Sequence, residues 1–372
     1  MQRELRRREF MVAAAGATAS SLALGAQVSS NTGRSKLGLP GLFPGRVVQV
    51  EHPGSIIAGQ YQAEAVEQMT LRGMRELTGA DGWAEAWKLF VEPGDVVGIK
   101  VNPVGRPHCI SDPLVLRRVI DGLRSAGVKP KDIVVYDRYQ VEFLQAGFDK
   151  WLPEGVRWTS ATTKHDPSQQ KIEGYDPDHF MDMALVLPGQ DIANLTARRS
   201  YASRFITQDV NKLINLCLIK DHQSAGVTVA LKSLSHGMVN NVSRSHATTT
   251  LNACGAFIPA AVSIPVIRNK TVLNICDGIK GVFHGGPFAR PQFVWEHKTM
   301  YFATDPVSLD HIGWEAIDAQ RAKVGRKPLA EDLPDEFSTF IRKQPEHVEI
   351  CGAMGLGVWD RKKIDLRRIT LG

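Results

Sequence analysis

The stretch Val96-Val97-Gly98-Ile99-Lys100-Val101, bounded by Pro93-Gly94 and Pro103, decides the fold. A short apolar run between turn residues is the pattern of a strand covered on both faces, as strands of parallel sheets are. Ser111 reads as an N-cap with Pro113 close behind. Leu114, Val115, Val119, Ile120 and Leu123 then recur at helical spacing until Gly127 stops the helix. Ile133-Val134-Val135 is the next strand. Strand, helix, strand in this order is a βαβ unit, so the expected fold class is α/β, with a mainly parallel sheet flanked by helices.

Working outward, residues 47–50 form a short β-branched run. Residues 61–77 carry Ala65, Met69, Met74 and Leu77 at helical spacing. Further strands are expected at 212–219, 273–276 and 300–303. Asp305-Pro306 opens a helix burying Leu309, Ile312, Ala316 and Ile317, with Asp305 as its N-cap. Residues 363–371 suit an edge strand after a turn at Gly352, Gly355 and Gly357. Between these elements, residues 159–205 are polar and lack sustained periodicity, which marks an insertion or lid. No repeat of solenoid type is present.

With 43% hydrophobic and 23% charged residues in 372, the composition is globular and excludes collagen-like, coiled-coil or largely disordered architectures. The length suits about two domains or one large α/β domain with insertions, read here as 46–372. Of the formal net charge of +6, two charges fall in the first ten residues. The mild remainder favours a small anionic molecule as partner and does not argue for nucleic acid.

Arg7-Arg8-Glu9-Phe10-Met11 followed by an Ala-rich apolar stretch is laid out as a signal peptide, and its paired arginines resemble a twin-arginine signal. The expected organisation is a signal over 1–26, a Ser, Gly, Asn and Pro-rich linker over 27–45, and a mature protein released to the periplasm by the twin-arginine export machinery. The longest later apolar stretch, residues 257–267, contains Pro259 and Pro265 and falls far short of the ~20 residues a membrane span requires. It reads as core. Cys109, Cys217, Cys254, Cys276 and Cys351 include no CxxC, so an iron-sulfur cluster of its own is not expected. A bound metal stays open.

Six of the eleven histidines lie between residues 222 and 311, without compact ligand spacing such as HExxH. Three patches stand out. In Asn215-Leu216-Cys217-Leu218-Ile219-Lys220-Asp221-His222 an apolar strand ends in ionisable side chains, where open parallel sheets bind ligands. Lys220 can clamp an anion and His222 can carry a proton or ligate a metal. In residues 231–241, Lys232, His236 and Asn240 recur every four residues and share one face if the segment is helical, with His246 following. The third patch places Asp277 at a strand end ahead of Gly285-Gly286, where glycine lets backbone approach a ligand. Its glycines match neither phosphate-loop nor dinucleotide fingerprints.

These residues resemble the family named domain of unknown function 362. The resemblance is carried by Gly98-Ile99-Lys100-Val101-Asn102, Val135-Tyr136-Asp137-Arg138, Lys220-Asp221-His222, Ala230-Leu231-Lys232-Ser233-Leu234 and Asn240-Asn241. It continues through Ile275-Cys276-Asp277-Gly278-Ile279, Gly285-Gly286-Pro287 and Asp305-Pro306-Val307 with Asp310. It implies no established reaction. Members are described as iron-sulfur or uncharacterised proteins, and some carry an added ferredoxin module that this chain lacks.

The expected site is one cleft at strand ends. Lys100 and Lys232 hold the anion, His222 transfers the proton, Lys220 assists it, and Asp277 orients the imidazole. Asn102, Asn240, His246, Gly285 and Gly286 complete the lining. A metal-assisted variant recruits His222, His246 or His284, and a desolvated Lys220 or Lys232 can itself act as base. Noncatalytic capture of a metal or anionic solute is the alternative, with an iron-sulfur redox partner third.

Overall fold

The computed structural model describes residues 27–28 and 35–372. The signal expected over 1–26 lies outside the described residues. The linker expected over 27–45 is only partly described, and residues 35–45 pack onto the body. Leu39 is buried and Gly45 N donates to the Asp305 carboxylate at 3.0 Å.

The main sheet has nine strands. They are β1 (Arg46–Glu51), β2 (Val97–Lys100), β3 (Ile133–Tyr136), β4 (Arg157–Thr159), β5 (Lys212–His222), β6 (Gly226–Thr228), β7 (Thr271–Val282), β8 (Val294–Ala303) and β9 (Asp365–Thr370). Their order is β9-β1-β8-β7-β5-β2-β3-β4, with β6 paired to the tail of β5. All run parallel except β6 and β8. The βαβ reading is met by β2, helix α2 (Pro113–Ser125) and β3. The N-cap of α2 is Asp112, whose carboxylate accepts from Leu114 N at 2.9 Å. Ser111 instead places its hydroxyl between Asn102 N and the Leu216 carbonyl, stitching β2 to β5.

Alternation along each strand feeds two cores. In β8, Met300 and Phe302 face α1 (Ala63–Thr78) and α2, whereas Tyr301 and Ala303 face the opposite side. That second side holds α3 (Ala230–His236), α4 (Cys254–Val262), α5 (Pro306–Lys323) and α6 (His347–Ala353). Helix α4 is buried on nearly every side, as its run of apolar residues demands. Asp305 caps α5 by accepting from Val307 N and Ser308 N at 2.9 and 3.0 Å.

The polar segment 159–205 is less irregular than its composition suggests. It contains an antiparallel pair, Tyr175–Asp182 with Arg199–Ser203, joined by Gln27–Val28 in a small three-stranded sheet. Tyr175, Met181 and Ala202 are the buried anchors that hold this layer down. Among the described residues, no helix is long and apolar enough to cross a membrane.

Candidate functional site

The carboxyl ends of β2, β3 and β5 meet helix α3 and the 160–174 loop around a cavity of about 250 Å³. The tail of β5 supplies its base. Because successive strand residues point to opposite sides, Lys220 and His222 line the cavity while Asp221 turns away. Lys220 is fully buried, and its ammonium donates to Asn102 Oδ1 at 3.2 Å and to the Val104 carbonyl. Among the described residues it has no carboxylate partner. Burial draws its pKa down to about 8, assisted by the nearby Lys100 charge.

Lys100 ends β2 and is neutralised, donating to Asp137 Oδ1 at 2.7 Å and to the Val101 carbonyl at 2.5 Å. Arg138, just beyond β3, is held by neutral acceptors. Its guanidinium donates to Tyr175 OH at 3.0 Å, the His236 carbonyl at 3.2 Å and Gln169 Oε1 at 2.8 Å. Helix α3 delivers Lys232. The helix starts where it does because Asp310 of α5 accepts from Ala230 N at 2.7 Å and from Leu231 N at 3.3 Å. Among the described residues nothing bonds the Lys232 ammonium, and burial lowers its pKa to about 8.

Hydrogen bonding sets the imidazole tautomers. His222 Nδ1 accepts from Ser224 N at 3.2 Å and Ala225 N at 3.3 Å, so its hydrogen sits on Nε2. Burial, with Lys232 close by, holds this imidazole neutral by driving its pKa well below the ordinary value. In this tautomer His222 offers the cavity an Nε2–H donor. Ser245 commits its own hydrogen to the Val242 carbonyl at 2.7 Å. Its oxygen then receives hydrogens from His236 Nε2 at 3.0 Å and His246 Nδ1 at 2.9 Å. His246 Nε2 is left unprotonated, with burial and Lys232 keeping the ring neutral at a pKa of about 3.

His236, His246 and Cys254 bring ligand atoms within 4.8 Å of one another, a different trio from the one expected. The Ser245 hydroxyl already occupies its centre, 3.0 and 2.9 Å from the two nitrogens and 3.8 Å from Cys254 Sγ. Its surroundings are cationic, from Lys232, Lys220, Lys100 and Arg138. Burial also raises the Cys254 thiol above its ordinary pKa, away from the thiolate a metal needs. These donors fit a hydrogen-bonded hub and do not fit a metal. All five cysteines are buried and free.

Of the residues expected at the site, Lys100, Asn102, Lys220, His222, Lys232 and His246 share the cavity. Asp277 does not. It faces α1 and α2, accepting from Tyr61 OH at 3.0 Å and from Asp112 N at 3.0 Å. Burial, with Asp112 nearby, raises its pKa to about 7. It thus caps a helix instead of orienting His222. Asn240 lies past the end of α3, where it accepts from Tyr201 N at 2.7 Å and donates to the Lys171 carbonyl at 3.1 Å. His284 sits behind the β5 tail against Asp335 at 2.8 Å and is not brought to His246. Gly285 and Gly286 also stand behind the wall. Gly286 N donates to Asp221 Oδ1 at 2.6 Å, and a Cβ there would come within 2.0 Å of the Asp221 carbonyl. Only the following Pro287 and Phe288 reach the cavity.

Asp137, Arg138, Glu142 and Gln169 also line the cavity and were not expected as ligand contacts, and His236 joins them from the face it shares with Lys232. For Asp137 and Arg138 the signal was present, since they follow β3 as Lys220 ends β5. Nothing in the 159–205 composition pointed to Gln169. A larger cavity of about 400 Å³ at the β4 edge is walled by residues 158–164 with Asp166, Lys171 and Glu173. It gathers both charge signs at an exposed margin and none of the buried unpaired cations.

A mostly parallel sheet flanked by helices, with a small cavity at its strand ends, defines an α/β protein. Within that class the chain belongs to the family described as Domain of unknown function (DUF362), which matches residues 97–315. No curated protein matches it. A crystal structure of a Thermotoga maritima protein, a structural-genomics target, is similar at a TM-score of 0.36 and 14% identity. That similarity covers 61% of this chain and 53% of the other, so the chain spans about half the length of that protein.

Proposed function

We propose that this is an exported protein, carried by the twin-arginine machinery to the periplasm, whose pocket takes a small anionic molecule and performs proton transfer on it. One observation carries the reading. Lys220, Lys232 and Arg138 face a cavity of about 250 Å³ and none has a carboxylate partner among the described residues. Uncompensated buried cations cost free energy unless a counter-charge arrives, and an anion supplies it. His222 adds a neutral N–H donor, and His246 Nε2 is the proton acceptor. The cavity lies just below the ~300 Å³ lower bound of ordinary ligand sites, so the anion is a carboxylate or phosphate of few heavy atoms.

Calorimetric titration with inorganic phosphate, malonate and neutral glycerol tests this. Binding of at least one anion, weakened in Lys232→Met, with glycerol inert, is the expected pattern. Equal silence from both anions removes the reading. For export, Arg7→Lys with Arg8→Lys should leave the protein in the cytoplasm. Undiminished periplasmic delivery of that double variant removes the twin-arginine assignment.

A further inference from the structure

We propose that Lys232 is a nucleophilic amine that condenses with the carbonyl of a small 2-oxo acid, giving the pocket Schiff-base chemistry. This rests on the anion-binding reading above. Three lysines line the cavity and two of them are committed. Lys100 is paired with Asp137, and Lys220 is fixed by Asn102 Oδ1 and the Val104 carbonyl. Lys232 alone of the three has no bonding partner among the described residues. The helix that carries it is nonetheless held in place. Asp310 anchors the start of α3, and the adjacent Ser233 donates to Asn215 Oδ1 at 2.8 Å.

The surroundings suit a free amine. Lys232 is the foremost charged neighbour of His222, His236 and His246. All three rings are neutral, and the nearby Lys220, Lys100 and Arg138 oppose a further charge. Against an ordinary lysine pKa of ~10.4, a value of about 8 raises the uncharged fraction near neutral pH by about two orders of magnitude.

The chemistry balances within the pocket. The substrate carboxylate sits on Lys220 and Arg138, which leaves its neighbouring carbonyl to Lys232. The Nζ lone pair adds to the carbonyl carbon while the carbonyl π electrons move onto oxygen, where His222 Nε2–H donates. His246 Nε2 takes the proton released from nitrogen and returns it to that oxygen, giving the carbinolamine. A second proton passes from nitrogen to the hydroxyl, which leaves as water, and an imine forms. No oxidant or reductant is required.

The test uses the full chain with pyruvate and sodium borohydride, followed by intact mass and peptide mapping. One adduct is expected on Lys232, adding the mass of pyruvic acid less one oxygen atom. Lactate, which has the carboxylate without the carbonyl, should give none, nor should folded Lys232→Arg with pyruvate. Trapping should quicken as pH rises towards 8. Calorimetric binding of pyruvate without an adduct, or with adducts on other lysines, overturns the Schiff base and leaves the anion reading standing. No binding of pyruvate, lactate, phosphate or malonate overturns both.

Discussion

The two sides of the β5 tail treat charge in opposite ways. On the cavity side, Lys220 meets only neutral oxygens. One residue along, Asp221 points into a closed ionic network. Its carboxylate accepts from Lys343 Nζ at 2.9 Å and Gly286 N at 2.6 Å, and Lys343 also meets Asp332 at 2.8 Å. Arg321 then bonds Asp332 at 2.5 Å. Each ion in that network has a counter-ion, so it holds the 321–347 region against the strand without calling for a ligand. The cavity side pairs Lys100 with Asp137 but, among the described residues, leaves Lys220, Lys232 and Arg138 without a carboxylate. Charge behind the strand is thus satisfied within the chain, and part of the charge facing the cavity is not.

Breaking the satisfied side should have the largest effect. Lys343→Met strands Asp221 in the interior and leaves Asp332 to Arg321 alone, and removing one partner of a buried pair costs about 3–5 kcal/mol. Denaturant unfolding should show that loss. A change within ±0.5 kcal/mol would mean the network is not closed as described.

The unmatched side should respond in binding instead of stability. Lys232→Met is expected to weaken malonate or phosphate by roughly tenfold to a hundredfold, the ~1.5–3 kcal/mol of a charged hydrogen bond. Its melting temperature should hold or rise, because a desolvated charge has gone. A melting temperature lowered as far as in Lys343→Met would erase the distinction between the two sides.

Asp277 sharpens the contrast as a buried carboxylate that belongs to neither side. Asp277→Ala leaves Asp112 N and Tyr61 OH without their acceptor, which should cost about 1–3 kcal/mol of stability and leave anion affinity alone. A large loss of anion affinity at unchanged stability would return Asp277 to the site.

The remaining expected effect is in pH. Lys220 and Lys232 have folded-state pKa values of about 8, below those of the unfolded chain. Between about 8 and ~10.4 the unfolded state therefore binds more protons, and stability of the empty protein rises with pH. Anion affinity should run the other way, falling about tenfold per unit above 8 for each ammonium required. Titrations at pH 7 and 9 that give equal affinity would contradict this.

Much of the frame was legible because Val96, Val97, Ile99 and Val101 form an apolar run bounded by Pro93-Gly94 and Pro103, and Asp305-Pro306 marks a helix start. Strand-end logic also located Lys100, Lys220 and His222. It misplaced Asp277 because an acid at a strand end can turn to either face, and β7 carries a register shift directly after Leu218 pairs with Asp277. Tautomers were out of reach. Only the Ser224 and Ala225 amides reveal that His222 donates, and only the Ser245 hydroxyl reveals that His246 accepts. Lys343 was equally hidden, since its partners lie 122 and 11 residues away.

Among the described residues, the last strand, β9, leaves one margin of the sheet with a free row of backbone amides and carbonyls. Asp365, Arg367 and Arg368 stand along it, with Arg367 reaching both Asp365 and Glu76. Charged side chains at such a border repel a second copy that tries to extend the ladder. Replacing them with β-branched apolar residues would turn this margin into a template for fibrous self-association.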